Sequence, residues 1–175
     1  MTEFLNHLKI LDINTGQQTF LEHDEGYIFS IDVSPNGLIV VLYVDRWIDK
    51  LTVYKDNKII STFTNLFSSY YARVDKHFLG NKLVFWIHGS QALKISNLLT
   101  GTIEMEKELP GINDINILPN GEVIISFETE NVAIWNIDTD NYRNIPMKGA
   151  MQNIRVFPNG QILVDMDDDS MKIFG

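Results

Sequence analysis

Three near-identical turns restrict the folds that this chain can adopt. Each turn contains Pro-Asn-Gly, at residues 35–37, 119–121 and 158–160, and an apolar segment precedes and follows it. Proline presets the φ angle of a turn, and Asn-Gly supplies the left-handed backbone positions that a tight hairpin needs. The pattern therefore predicts three β-hairpins. Because one hairpin cannot bury its apolar face alone, their repetition predicts a stacked or ringed all-β array.

Two markers repeat along the chain with the same period. The turn glycines lie 43, 41 and 39 residues apart, at Gly37, Gly80, Gly121 and Gly160. The ends of a second set of predicted strands lie 43, 42, 39 and 39 residues apart, at Leu11, Tyr54, Ser96, Trp135 and Phe174. A repeat of about 40–45 residues that holds four short strands is typical of one β-propeller blade. No segment shows sustained helical periodicity, so the predicted class is all-β.

Several segments resemble parts of a WD-repeat. Residues 20–37 resemble its first half, and residues 8–16 resemble its end, with Leu11 at the usual tryptophan and Asp12 at the usual aspartate. Residues 168–174 resemble the hairpin aspartate and the third strand of the same family. The resemblance extends over essentially the whole chain, and it implies a WD-repeat-like β-propeller.

The repeats depart from the family pattern at the residues of its hydrogen-bond tetrad. Trp135 keeps the family's tryptophan, but Asn136 follows it where aspartate is usual. The family's Gly-His pair survives only as Glu22 and His23. The resemblance therefore implies degenerate repeats, in which the His–Ser/Thr–Asp–Trp tetrad is incomplete in every blade.

The two ends of the chain leave the closure of the ring open. With the strands of a blade lettered a to d from the axis outward, the predicted order is c-d, three full sets, then a-b-c. We predict a single propeller domain over residues 1–175, with repeats near 1–22 (partial), 23–64, 65–109, 110–148 and 149–175 (partial). About four blades of four-stranded antiparallel sheets result. They form either a closed small ring or a half-ring completed by a second chain, because the strand over residues 8–13 is surplus to a four-bladed ring.

Charge and composition limit the classes of partner. Lys and Arg number 14 against 23 Asp and Glu, which gives a formal net charge of -9. Nucleic acid and anionic membrane surfaces are therefore not expected partners. There are no cysteines, so disulfides and thiolate metal sites are excluded. The first residues lack the features of a secretory signal, and the longest apolar run, at 38–44, is too short to span a membrane, so we predict a cytoplasmic protein.

Two groups of side chains invite a metal interpretation, and we predict no metal site at either. The acidic cluster Asp165, Asp167, Asp168 and Asp169 is interpreted as a hairpin turn, since turns favour aspartate and an EF-hand loop needs glycine where Ser170 stands. The four histidines show no short metal-ligand spacing. They are His7, His23, His77 and His88.

Motifs for catalysis are missing from the sequence. No nucleophile elbow, phosphate loop or dinucleotide fingerprint appears, so we predict a protein that is not an enzyme and binds no cofactor. The alternative is a propeller hydrolase or lyase, which would place a metal or carboxylate cluster near the axis of the ring.

The aromatic residues fall into two groups. Those inside predicted strands are expected to pack within blades, and they include Tyr54, Phe85, Trp86, Phe127 and Trp135. The others lie in predicted b-to-c and d-to-a connections, which emerge on the same face of a propeller. Since Arg, Trp and Tyr are enriched at binding hot spots, we predict a partner-binding site there. Its residues are Arg46, Trp47, Phe67, Tyr70, Tyr71 and His88.

The alternative for these connection residues is that their side chains fold back over the blade ends. The predicted function is a non-catalytic protein–protein interaction scaffold that binds a protein partner through this face. The alternative function is a structural subunit whose open ring edge is completed by another protein or, as a homodimer, by a second copy.

Overall fold

The computed structural model describes residues 8–21, 26–45, 48–64, 74–87, 91–129, 131–147, 149, 151–166 and 168–175. Seventeen β-strands and no helix occur in this part of the chain. The strands are β1 (Leu8–Leu11), β2 (Gln18–Leu21), β3 (Tyr27–Val33), β4 (Ile39–Asp45), β5 (Ile48–Lys55), β6 (Lys58–Thr64), β7 (Val74–Leu79), β8 (Lys82–Ile87), β9 (Ala92–Asn97), β10 (Thr102–Glu108), β11 (Ile112–Ile117), β12 (Val123–Phe127), β13 (Asn131–Asn136), β14 (Asn141–Pro146), β15 (Met151–Val156), β16 (Ile162–Met166) and β17 (Met171–Phe174).

The strands form five sheets in which each strand pairs with its neighbours in sequence. Three sheets have four strands, in the orders β3-β4-β5-β6, β7-β8-β9-β10 and β11-β12-β13-β14. Two sheets are shorter, with the orders β1-β2 and β15-β16-β17. The predicted pattern of two strands, three full sets and three strands is therefore confirmed. The chain divides into two compact units, residues 1–71 with 97–102 and residues 72–96 with 103–175.

Apolar periodicity explains why these segments form strands. β4 carries apolar side chains at nearly every position, and Val40, Val41, Leu42, Tyr43 and Val44 are all buried, as expected for a strand covered on both faces. The aromatic residues predicted to pack within blades are buried as well. These are Tyr54, Phe85, Trp86, Phe127 and Trp135.

The Pro-Asn-Gly turns form hairpins, but by a different backbone route from the one predicted. Gly37 has a φ of 81° and donates its N–H to the Ser34 carbonyl over 2.9 Å. Asn36 does not have a positive φ, so the turn is of type I followed by a left-handed glycine. The prediction that asparagine also takes a left-handed position is wrong. In the matching turns Asn120 and Asn159 instead accept a backbone N–H from two residues onward.

Packed clusters of buried side chains within each of the two units form part of the core. In the first unit, Leu8 and Leu21 of the β1-β2 sheet pack on Val41, Tyr43 and Tyr54. The second unit holds clusters between β7–β10 and β11–β14 and between β11–β14 and β15–β17. Face-to-face stacking of sheets therefore supplies the core, as the repeat pattern predicts. That the whole chain is one domain stays a prediction.

Candidate interaction surface

The predicted partner-binding residues all fall outside the described residues. Arg46, Trp47, Phe67, Tyr70, Tyr71 and His88 belong to the connections 46–47, 65–73 and 88–90. Their site therefore stays a prediction. The described strands reveal a second candidate surface, made of apolar residues that the sequence places inside strands and that the structure leaves exposed.

In the three sheets whose first hairpin carries a Pro-Asn-Gly turn, we define the front face by the first-strand residues four and two positions before the proline. In β11 these are Ile115 and Ile117, which pair directly with Ile125 and Val123, so that their side chains share that face. Ile115 is 0% exposed and Ile117 is partly buried. The same cluster contains residues of the preceding sheet, among them Val84 of β8. The front face of β11–β14 is therefore covered by β7–β10.

The same positions in β3 are uncovered. Ile31 and Val33 lie four and two residues before Pro35, and they pair with Val41 and Ile39. Yet Ile31 is 50% exposed and Val33 is 63% exposed. A β-strand that keeps aliphatic residues at core positions while exposing half or more of their surface is the feature expected of an interface.

The β1-β2 sheet covers only part of this front face. β1 and β2 pack over Val41, Tyr43 and Tyr54, which belong to the second and third strands of the β3–β6 sheet. The β7–β10 sheet, which covers β11–β14, has four strands instead of two. The two additional strands extend it towards β11, the first strand of the sheet that it covers. The β1-β2 sheet has two strands among the described residues, and Ile31 and Val33 lie outside the cluster that it forms with β4 and β5.

The last sheet presents the opposite, or back, face. In β11–β14 the back face carries Ile124, Val132 and Ile134, all buried against β15–β17. Strand pairing places Leu163, Met171 and Ile173 at the same positions of β15–β17. Met171 is 69% exposed and Ile173 is 64% exposed. Among the described residues, the first unit therefore exposes apolar residues on the front face of β3, and the second unit exposes apolar residues on the back face of β17.

Polar side chains connect the first strands of stacked sheets. Asp114 of β11 accepts the backbone N–H of Ile154 in β15 through Oδ2, over 2.7 Å, and that of Ile115 through Oδ1, over 2.9 Å. Asn116 Nδ2 donates to the Ile154 carbonyl over 3.4 Å, and Asn113 Nδ2 donates to the Met151 carbonyl. These side chains hold the main chain of the following sheet.

Asp114 and His77 are partly buried titratable groups of these inner strands. Burial raises the pKa of Asp114 above its ordinary value, although its backbone hydrogen bonds act in the opposite direction. Burial lowers the pKa of His77, against the effects of the nearby Asp114 carboxylate and a hydrogen bond to the Ile115 backbone. Both Asp114 oxygens accept backbone N–H groups, so the carboxylate has a structural role here. The described residues contain no group of three or more metal-binding side chains.

The tryptophan at the position of the WD pattern has a local partner. Trp135 Nε1 donates to Asp140 Oδ1 over 2.9 Å, and Lys107 Nζ donates to the same oxygen. Lys107 Nζ also lies 4.8 Å from the centre of the Trp135 ring. The hydrogen bonds from Lys107 and then Trp135 hold the pKa of Asp140 below its ordinary value. This arrangement orders the turn between β13 and β14.

Asp168 and Asp169 of the acidic cluster lie in a turn, as predicted, whereas Asp165 lies within β16 and pairs with Asn153 and Met171. Asp168 Oδ1 accepts the N–H of Ser170 over 3.1 Å, and Asp169 takes a φ of 61° in the connection from β16 to β17. The backbone closes where Met166 N–H donates to the Ser170 carbonyl over 2.9 Å. Hydrogen bonding within the turn lowers the pKa of Asp168. Asp167 lies outside the described residues.

The clefts of the second unit are lined by turns whose charges pair within the chain. One, of about 350 Å³, lies beside the Gly80 turn, and there Lys82 Nζ approaches Asp138 Oδ1 to 3.2 Å. Another, of about 300 Å³, lies beside Arg143, whose Nη2 is 3.6 Å from Glu122 Oε2. Because these charges already have partners, the uncovered apolar faces are the stronger candidate surface.

None of the described residues belongs to a helix with the length and apolar character needed to cross a bilayer. No family model and no curated protein sequence matches the chain. Among solved structures, the WD40 β-propeller domain of Doa1 is similar, with a TM-score of 0.61 and 18% identity. The match covers 92% of this chain and 55% of the other. The chain thus spans about half the length of the structure that it matches, and its fold is that of a WD-repeat-like β-propeller.

Proposed function

We propose that the chain is a non-catalytic protein-interaction scaffold that binds a protein partner through connection residues at one end of its sheets. The similarity to a WD40 propeller domain carries this proposal, because this fold generally mediates contacts between proteins. The proposed site comprises Arg46, Trp47, Phe67, Tyr70, Tyr71 and His88.

Strand pairing supports grouping the two kinds of connection. β4 and β5 are antiparallel, with Asp45 opposite Ile48, so residues 46–47 join them at one end of their sheet. In an antiparallel sheet of four strands, the connection that leaves the fourth strand emerges at that same end. Residues 65–73 follow β6, the fourth strand of this sheet. Trp and Tyr are residue types enriched at binding hot spots, which supports the choice of these connections.

The test is quantitative affinity capture with the double variant Trp47→Ala and Tyr70→Ala. A specific partner should be lost from the variant, because truncating aromatic hot spots removes about 2 kcal/mol or more of binding free energy each. The matched control is Phe157→Ala, which removes an aromatic ring that is 41% exposed in a turn after a first strand. Circular dichroism should show that both variants remain folded. Equal capture by the wild type and the double variant would refute this site.

The enzyme alternative gains no support from the inner strands. It requires a metal or carboxylate cluster near the axis, whereas the partly buried Asp114 is occupied by two backbone N–H groups. The cytoplasmic location and the exclusion of nucleic acid remain predictions from the sequence.

A further inference from the structure

A lysine ammonium, two aromatic rings and a carboxylate meet within the second unit, between its two four-stranded sheets. Lys107 belongs to β10, at the edge of one sheet. The other three residues are Trp135 of β13, Tyr142 of β14 and Asp140 in the turn between them. Lys107 Nζ lies 4.8 Å from the centre of the Trp135 ring and 5.7 Å from that of Tyr142. Both distances are within the reach of about 6 Å at which a ring face attracts a cation.

The backbone at Asp140 is left-handed where two matching turns use glycine. In the turns β1–β2, β9–β10 and β13–β14, one side-chain oxygen accepts two backbone N–H groups. These oxygens belong to Asp12, Asn97 and Asn136. Four residues later the φ angle is 70° at Gly16, 72° at Gly101 and 52° at Asp140. Glycine takes this conformation without steric cost, whereas a residue with a Cβ atom is strained in it.

A buried N–H group accounts for the aspartate at this strained position. The residues just before the three side-chain acceptors are Leu11, Ser96 and Trp135. Only Trp135 has a ring N–H, and its side chain is 0% exposed, so this donor needs an acceptor inside the protein. Asp140 Oδ1 accepts it over 2.9 Å, and Lys107 Nζ donates to the same oxygen. The turn therefore holds a carboxylate beside the two rings, where an ammonium binds.

We propose that Trp135, Tyr142 and Asp140 form a binding site for a primary alkylammonium group, and that Lys107 is its built-in ligand. The site ties the edge strand β10 to the β13–β14 turn of the following sheet. A neutral group of the same shape would lose both the attraction of the ring faces and the pairing with the carboxylate. The site lies within one unit and shares no residue with the proposed partner-binding connections, so neither proposal depends on the other.

The site can be emptied and refilled, because it is open to solvent on one side. The side chains of Lys107 and Asp140 are 26% and 63% exposed. Lys107→Ala removes the atoms from Cγ to Nζ, and n-propylammonium supplies the same atoms as a free ligand. The substitution should lower the ratio of folded to unfolded chain about tenfold, as expected for a partly desolvated cation–π contact. Added n-propylammonium chloride should then raise the denaturation midpoint of the variant more than that of the wild type. Sodium chloride and 1-propanol at the same concentration should not.

The indole N–H resonance of Trp135 gives a local measurement. It is identified by its absence from the NMR spectrum of Trp135→Phe. Lys107→Ala should shift this resonance, and n-propylammonium should move it back towards its wild-type position. Adding Asp140→Asn should abolish the response, since asparagine tolerates the left-handed turn but carries no charge. The matched control is Lys94→Ala, which removes a lysine paired with Glu106 over 3.5 Å and should give no response to n-propylammonium.

Three results would overturn the proposal. The first is an alanine variant that does not respond to n-propylammonium. The second is rescue by 1-propanol as large as that by n-propylammonium, which would indicate an apolar cavity. The third is an indole resonance that stays at its wild-type position in Lys107→Met. This variant keeps an unbranched apolar chain, so it separates the loss of charge from the loss of packing, and it allows the measurement even where the alanine variant fails to fold.

Discussion

The first strands β3 and β11 carry the same kinds of residue at the same positions, and they differ in what covers them. Each strand ends with two aliphatic residues on its front face, two and four positions before proline. In β11 a complete preceding sheet buries Ile115, whereas in β3 a two-stranded sheet leaves Ile31 half exposed. The comparison shows that a repeat encodes a face ready for packing, while its neighbour decides whether that face becomes core or interface.

The back faces repeat this difference at the other end of the chain. Ile134 is 4% exposed where β15–β17 follows its sheet, and Ile173 is 64% exposed where no further sheet follows in the described residues. Within each unit, the exposed face is the one on which no sheet of that unit stacks among the described residues. A shortage of apolar side chains at these positions is not the reason.

The largest expected effect separates the covered and uncovered front faces. Ile115→Ala should lower the free energy of unfolding by about 2–4 kcal/mol, because it leaves a cavity between two packed sheets. Ile31→Ala should lower it by less than about 1 kcal/mol, since the side chain loses little burial. Chemical denaturation of each variant beside the wild type measures both losses. Equal losses would show that Ile31 is part of the folded core.

A second prediction concerns the polar contact between stacked first strands. Asp114→Asn should lower the free energy of unfolding by about 1–2 kcal/mol, because the new amide nitrogen, placed at Oδ2, cannot accept the Ile154 N–H. The control is Asp138→Asn, which changes an exposed ion pair with Lys82 and should cost less than about 0.5 kcal/mol. If denaturation midpoints fall equally in both variants, the Asp114 contact does not hold the two sheets together.

The smallest expected effect is a pH dependence of stability that comes from His77 of β7 and Asp114 of β11. Burial lowers the pKa of His77 from 6.5 in the folded protein, so the unfolded chain binds a proton at this histidine more tightly than the folded chain does. Neutral His77 therefore contributes fully to the free energy of unfolding above pH 6.5. This contribution is lost as the pH falls towards the lowered pKa of His77. Asp114 acts oppositely, because its pKa is raised and its contribution is lost as pH rises through that raised value.

The variant His77→Gln should remove this dependence between about pH 7.5 and 5.5, where an ordinary histidine titrates. The groups facing His77 are Asp75 and Lys76 on its own strand and Asp114 with the Ile115 backbone on β11. Denaturation midpoints across that range give the measurement. If the wild type and the variant lose the same amount of stability on acidification, the group that titrates is not His77.

Much of the fold could be predicted from the sequence, because the relevant information is local. Alternating or continuous apolar residues determine the strands, and proline with glycine determines where hairpins turn. The predicted order of two strands, three full sets and three strands is present in the described residues, and the strand predicted to end at Tyr54 extends one residue further, to Lys55. The left-handed role assigned to asparagine was wrong because a type I turn with one left-handed glycine satisfies the same hairpin.

The candidate surface shows where sequence reasoning falls short. The aromatic connection residues attract attention because their residue types are unusual for loops, and their role stays a prediction. The sequence does not mark Ile31 and Val33 as surface residues, because they match the buried or partly buried residues at the same positions of the other repeats. The signal that could identify them is the incomplete set of strands before β3, combined with core-like residues in that strand.

The sequence by itself determined the repeat, the strand order and the identity of the residues that form each sheet face, since these depend on spacing along the chain. Only the tertiary structure decided which faces are core. Burial depends on the sheet that stacks against a residue, and that sheet is formed by residues some 40 positions away in sequence. Ile31 and Ile115 are the same residue type in the same local pattern, and only their neighbours distinguish an exposed surface from a buried one.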